Sequence, residues 1–356
     1  MSISKWLLMS LYYGIHTIEL FLRNLKYMEV QKVIDHLEAE GKIQKIKNDP
    51  YNIDRTVKST YFVNDGIRLR IYQSHNKSNG IGFAITPCTL LSGKYQPIAL
   101  WKPTPEAVDN LLKRLLSVFE MLGLDSSHLR DLSLSQMDIT QNDWGSSGYM
   151  PTEIIRQFRK GIVPPNFKVY PNNNKALNPY LYVIESKRKK SKKSEIPKTG
   201  RVVVKVYDKV HELEKNGRCP KSLKDEQILR FEVSMKREAF LKKLDLERDV
   251  PLYEMLCAGY DQGKDILADY QEKMYPFPTK IVSYVVAKKL IQEKVKDSSL
   301  QEQMLYLLEK TSDSAGVSTA VRKLKEHYSD VDNRRIKRIF AEFDKLDIAP
   351  IAQPKP

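Results

Sequence analysis

Residues 229–236 read Leu-Arg-Phe-Glu-Val-Ser-Met-Lys, an unbroken alternation of apolar and polar side chains. Only an extended strand sorts that spacing into two faces, because successive strand side chains point to opposite sides. Leu229, Phe231, Val233 and Met235 then form a face that must be buried. Arg230, Glu232, Ser234 and Lys236 form a row predicted to be open for polar work. Two further segments obey the same rule. In 201–209, Val202, Val204 and Val206 oppose Lys205, Tyr207 and, if the strand runs that far, Lys209, with a short helix expected near 208–216 ending at Gly217. In 132–140, Met137 and Ile139 oppose Gln136, Asp138 and Thr140. Strands of this kind require a sheet covered on one side and polar on the other.

The surrounding chain predicts the cover. A strand is expected at 14–22 and a helix at 27–40 ending at Gly41. Strands follow near 60–64, 67–73 and 81–86. Thr104, with Pro105 next to it, predicts the start of a helix running to Gly123. A helix is expected at 152–160, a Pro- and Asn-rich loop at 163–178, and strands at 180–186 and 201–207. After residue 250 only helical patterns remain, at 252–274, 278–295, 299–311, 315–328 and 332–344. The expected class is therefore α+β. A mainly antiparallel sheet has helices on one face, and an all-helical domain follows. The expected divisions are 1–250, 251–346 and a tail at 347–356.

Composition narrows the partners. The 356 residues include 59 Lys and Arg against 44 Asp and Glu, a formal charge of +15. A surplus of that size points to a polyanion, most simply nucleic acid. The three cysteines, Cys88, Cys219 and Cys257, form no CxxC pair, which argues against a zinc ribbon or a disulfide framework. The six histidines form no HxH, HxxH or HExxH pair. The apolar stretch Trp6–Leu22 carries His16 and Glu19 and is too short and polar to span a bilayer. The expectation is a cytoplasmic protein with no membrane partner.

The polar rows suggest a chemistry. Asp138 and Glu232 offer hard oxygen ligands suited to Mg²⁺ or Mn²⁺. Tyr207 lies between Lys205 and Lys209, whose charges favour a phenolate. A tyrosine that attacks phosphorus stores the bond energy for rejoining. Each residue alone also reads as an ordinary solvated strand side chain. Glu212 is a third metal ligand or a base for a water or a second nucleophile on one reading, and a solvated helix glutamate on the other. His211 reads as a surface residue. Ser186–Lys193 packs Lys187, Arg188, Lys189, Lys190, Lys192 and Lys193 into eight positions. It reads as a phosphate-contacting loop or as a solvated one. Arg334, Arg335, Lys337 and Arg338 form a second basic cluster, equally readable as an exposed helix face.

Several segments resemble the replication initiators of filamentous phages, the gene II/X protein family, and more distantly the initiators of staphylococcal-type rolling-circle plasmids. They are Gly82–Lys94 (GFAITPCTLLSGK), Leu134–Thr140 (LSQMDIT), Val204–Leu213 (VKVYDKVHEL), Leu229–Lys236 (LRFEVSMK) and Gln262–Leu267 (QGKDIL). The resemblance implies single-strand nicking at a double-stranded origin, with Tyr207 of the YxKxxE element as nucleophile. It implies metal-site roles for Asp138, although Ser135-Gln136-Met137-Asp138 lacks the family's usual arginine, and for Glu232 of the RFE element. His16 stands where relatives often carry an aspartate, and reads either as a replacement ligand or as a buried strand histidine. Lys205 and Arg230 join the lysine tract as expected DNA contacts. Implied partners are origin DNA and its displaced single strand, with a host helicase and a second copy of the chain as further candidates. The rival readings are a relaxase of an integrative conjugative element and a DNA-binding protein without catalysis.

Overall fold

The computed structural model describes residues 12–49, 54–62, 66–75, 78–144, 150–170, 178–185, 201–277, 281–313 and 316–351. By contacts they fall into two compact units that interleave along the chain. An N-terminal unit takes in Tyr12–Gln141 and Glu232–Ile266. A C-terminal unit takes in Asn142–Phe231 and Leu267–Pro356. This division is discontinuous in sequence.

The N-terminal unit is built on β1 (Tyr13–Leu25), β2 (Ile43–Asp49), β3 (Asp54–Phe62), β4 (Ile67–Gln73), β5 (Asn79–Ile85) and β6 (Ser133–Asp143). The order is β2-β3-β4-β5-β1-β6, and each of these neighbouring pairs is antiparallel. The register explains the core. Ile18, Ile85 and Ile67 form one row, Leu20, Phe83 and Leu69 the next, and Leu22, Ile81 and Ile71 a third. All nine are buried, each worth roughly 1.5–3 kcal/mol of transfer free energy. Helix α1 (Tyr27–Ala39) turns Val30, Val33, Ile34 and Leu37 inward. A short helix α2 (Pro87–Ser92) precedes α3 (Pro105–Met121). Thr104 caps α3 by accepting from the Ala107 amide, and Phe119 stacks on Phe83 with centroids 5.4 Å apart. Thus the helices lie on the Phe83 side. Next to β6 in the order comes β10 (Leu229–Lys236), whose second half belongs to this unit. It leads into α6 (Arg237–Leu244) and α7 (Leu252–Asp261), whose Gly259 lets Met137 and Phe240 close in.

The opposite face of these strands carries Arg68, Arg70 and Tyr72 on β4 and Gly80, Gly82 and Ala84 on β5. Glu19, Phe21 and Arg23 on β1 and Gln136 and Asp138 on β6 complete it. Arg23, Arg70 and Tyr72 on it are exposed.

In the C-terminal unit the first half of β10 neighbours β9 (Val202–Asp208), then β8 (Tyr180–Glu185) and β7 (Phe167–Tyr170). Helix α4 (Pro151–Lys160) packs on β8 and β9, with Phe158 5.7 Å from the Phe231 ring. After α5 (Lys209–Lys215), this unit continues from the end of α8 (Gly263–Met274) through α9 (Tyr284–Lys294), α10 (Ser298–Asp313), α11 (Val317–His327) and α12 (Asn333–Lys345). The last four surround a core that includes Ile291, Met304, Leu307, Leu308, Ile339 and Phe343.

The α+β class and the change to helices after residue 250 are as expected. Four details differ. The expected single helix 252–274 is two, broken at Gln262. The expected loop 163–178 contains β7, and residues 171–177 of it lie outside the described set. Strand β2 and helices α2 and α6 were not anticipated. Finally, β10 is buried on both faces, Arg230, Glu232 and Ser234 as fully as the apolar row.

Candidate functional site

In the C-terminal unit the alternation along β9 holds. Val202, Val204 and Val206 are buried, whereas Lys205 and Tyr207 are half-exposed. Antiparallel pairing sets Tyr180 opposite Tyr207 and Tyr182 opposite Lys205. The rings of Tyr180 and Tyr182 are 5.7 Å apart, and Lys215 Nζ lies 5.4 Å from the Tyr180 ring centre. Three phenols and two cations thus share one polar face. Tyr180 and Tyr182 were not anticipated as site residues, although the alternation in Tyr-Leu-Tyr-Val-Ile-Glu carries their signal.

Lys209 falls in the short helix expected near 208–216. It does not continue β9 but opens α5, where Asp208 caps the helix by accepting from the His211 amide at 3.0 Å. Lys209 is only 5% exposed. Its Nζ lies 6.0 Å from the Tyr207 ring centre and donates to Glu212 Oε2 at 2.7 Å. Glu212 Oε1 accepts from Asn216 at 2.6 Å. The helical turn therefore brings Lys209 and Glu212 together, with the Lys209 ammonium 6.0 Å from the tyrosine ring centre.

Arg230 requires a correction. It is 0% exposed, and its Nε donates to Asn142 Oδ1 at 2.7 Å. A side chain so enclosed holds the interior together and is not a surface contact for DNA. The tract Lys187–Lys193 lies outside the described residues.

In the N-terminal unit Asp138 faces away from the helices, and is 6% exposed. It pairs with Thr17, and its Oδ1 accepts from Gln136 Nε2 at 3.1 Å. Between Ile15 and Thr17 the ladder slips by one residue, so His16 sits in a bulge at this point, with Nδ1 2.9 Å from Thr17 Oγ1. Glu232, 2% exposed, has Ser234 Oγ 3.5 Å from its Oε1. Among the described residues no three His, Cys, Asp or Glu side chains are arranged as a metal site. Asp138 and Glu232 each offer hard oxygen donors of the type Mg²⁺ takes. Such an ion usually takes one or two carboxylates and fills its remaining positions with water and phosphate oxygens. Among the described residues no helix is long and apolar enough to cross a membrane.

No family model matches the chain, and no curated protein matches it. Among solved structures, it is similar to a rolling circle replication initiator protein from Geobacillus stearothermophilus. The similarity covers 88% of this chain and 96% of that one, at 10% identity and a TM-score of 0.32. Similarity at that level is no ground for a shared fold or activity.

Proposed function

We propose that the chain is a rolling-circle replication initiator that nicks one DNA strand through Tyr207. The observation that carries the reading is the half-exposed phenol at the end of β9, with Lys205 on its own face and Lys209 against its ring. In the proposed step the Tyr207 oxygen loses its proton to Glu212 and attacks the scissile phosphorus. A phosphorus–tyrosine bond forms and the bond to the 3′ oxygen breaks. The leaving oxygen takes up a proton and becomes a free 3′-hydroxyl. Attack of a 3′-hydroxyl on the phosphotyrosine reverses the exchange and rejoins the strand.

Lys205 and Lys209 favour the phenolate and draw the phosphate towards it. Lys209 also orients Glu212. Asp138 and Glu232 would hold Mg²⁺ or Mn²⁺, which supplies charge for the developing oxyanions. His16 beside Asp138 is a further candidate ligand, and the lysine tract a phosphate contact. Origin DNA and its displaced single strand are the substrates on this reading, within the bacterial cytoplasm. A host helicase or a second copy of the chain would assist.

The test is incubation with supercoiled plasmid carrying candidate origin DNA and Mg²⁺ or Mn²⁺. A covalent protein–DNA adduct is expected from the parent and none from Tyr207→Phe, which should still bind. An adduct that survives Tyr207→Phe defeats the assignment. Binding without nicking by the parent leaves a non-catalytic DNA-binding protein.

A further inference from the structure

The face of the N-terminal sheet turned away from the helices has no part in the chemistry just described, apart from Asp138 at its β6 end. Phe21 on β1 pairs with Gly82 and has Gly80 diagonally beside it. A Cβ built on Gly80 would come within 2.8 Å of Phe21 Cζ, and one on Gly82 within 3.5 Å of Cδ2. The ring therefore lies down on the sheet in space the glycines leave. Tyr72, 36% exposed, stands 5.8 Å from it, and the Arg23 guanidinium sits 5.8 Å from the Phe21 ring centre. Arg70, exposed, pairs with Gly82, and Arg68 follows two residues earlier on the same side. Glu19 is an acid in the same rows. Three arginines and two rings on the same face of these strands outweigh it.

We infer that this face, centred on Phe21 and Tyr72, is a binding track for single-stranded DNA. The ligand class rests on the DNA reading above, but the inference needs no nicking. Rings on a sheet accept unstacked bases of any sequence, and guanidinium groups beside them accept the phosphates. A duplex has its bases already stacked and cannot use the rings. The arginines supply the charge complementarity. The row that holds Arg68 and Glu19 continues to Gln136, which bonds Asp138. A strand on the track would thus run towards the carboxylate.

The experiment is fluorescence anisotropy of the full chain with a labelled oligothymidylate and with a duplex of equal length, over a range of salt. Tyr72→Ala should weaken single-strand binding by about fivefold or more. Arg70→Ala and Arg23→Ala should each lower the salt slope by about 0.7. Duplex binding and melting temperature should stay at parent values. Lys113→Ala, an exposed cation on α3, should leave single-strand binding unchanged. Three results overturn the inference: no single-strand binding by the parent, unchanged binding and salt slope in the variants, or equal losses on duplex and single strand. Nicking is scored separately. A parent that binds oligothymidylate through this face but never nicks would defeat the proposed reaction and leave the track standing.

Discussion

Lys209 and Glu212 form a 2.7 Å ion pair one helical turn apart, with the ammonium buried and the carboxylate exposed. Because the same ammonium lies 6.0 Å from the Tyr207 ring, the pair ties a candidate base to a candidate nucleophile. Replacing Lys209 with Met keeps the apolar stem and removes the charge. Nicking is expected to fall by about 100-fold, in the range lost when one stabilising donor is removed from an active site. The pair is half solvated, so its stability contribution should stay below about 1 kcal/mol. Adduct formation and thermal melting measured together check both halves. Melting that collapses with activity would make Lys209 a purely structural residue.

Asp138→Asn tests the carboxylate without changing its shape. A buried negative charge is costly to the fold, so the amide should leave the melting temperature unchanged or raise it. Adduct formation should drop by about 100-fold or more if the group holds a metal whose charge the reaction needs. Isothermal titration with Mn²⁺ gives a readout independent of turnover, and the variant should bind more weakly than the parent. Parent-like Mn²⁺ affinity would remove Asp138 from the metal site.

Arg230 makes the opposite prediction. Arg230→Ala loses the bond to Asn142 and opens a cavity in the interior, at a cost of about 3 kcal/mol or more. Urea unfolding reads that loss. DNA affinity per folded molecule should not move, and a weakened affinity at unchanged stability would return Arg230 to the surface contacts.

His128 Nε2 lies 3.1 Å from Glu29 Oε1 and Nδ1 lies 3.4 Å from Asp131 Oδ2. Its hydrogen bond to Glu29 raises its pKa against the effect of burial. Burial alone would raise Glu29, but the Lys26 amide and His128 outweigh it and hold the carboxyl below its usual value. The histidine's contribution is complete below its unfolded pKa and fades as pH rises through the higher folded one. The glutamate's contribution is complete above its unfolded pKa and fades as pH falls through the lower folded one. Stability from this pair should therefore peak between roughly pH 5 and 6. His128→Gln should flatten that part of the urea-midpoint profile, by less than about 1 kcal/mol. An unaltered profile would show that the pair does not contribute.

How much of this could be read from residues alone depends on what each position touches. The apolar row of β10, the Val202–Val204–Val206 row and the cap at Thr104 follow from local period and local hydrogen bonding. The burial of Arg230 and Glu232 does not, because it depends on what the rest of the chain places over the polar row of β10. The end of β9 is local too: Asp208 caps the helix expected near 208–216, which takes Lys209 into α5. The tyrosines opposite Lys205 and Tyr207 became visible only when antiparallel pairing fixed the register.

The slip in β1 gives position 16 an unusual freedom. Ile15 pairs with Ile139 and Thr17 with Asp138, so the chain spends one residue that the ladder does not use. Removing His16 would leave both partners in place and both isoleucines in the core. Removing Ile18 would throw every residue before it onto the wrong side. A lineage could therefore delete, restore or exchange the imidazole at this bulge by a change of a single codon. The hydrophobic interior would not have to be rebuilt.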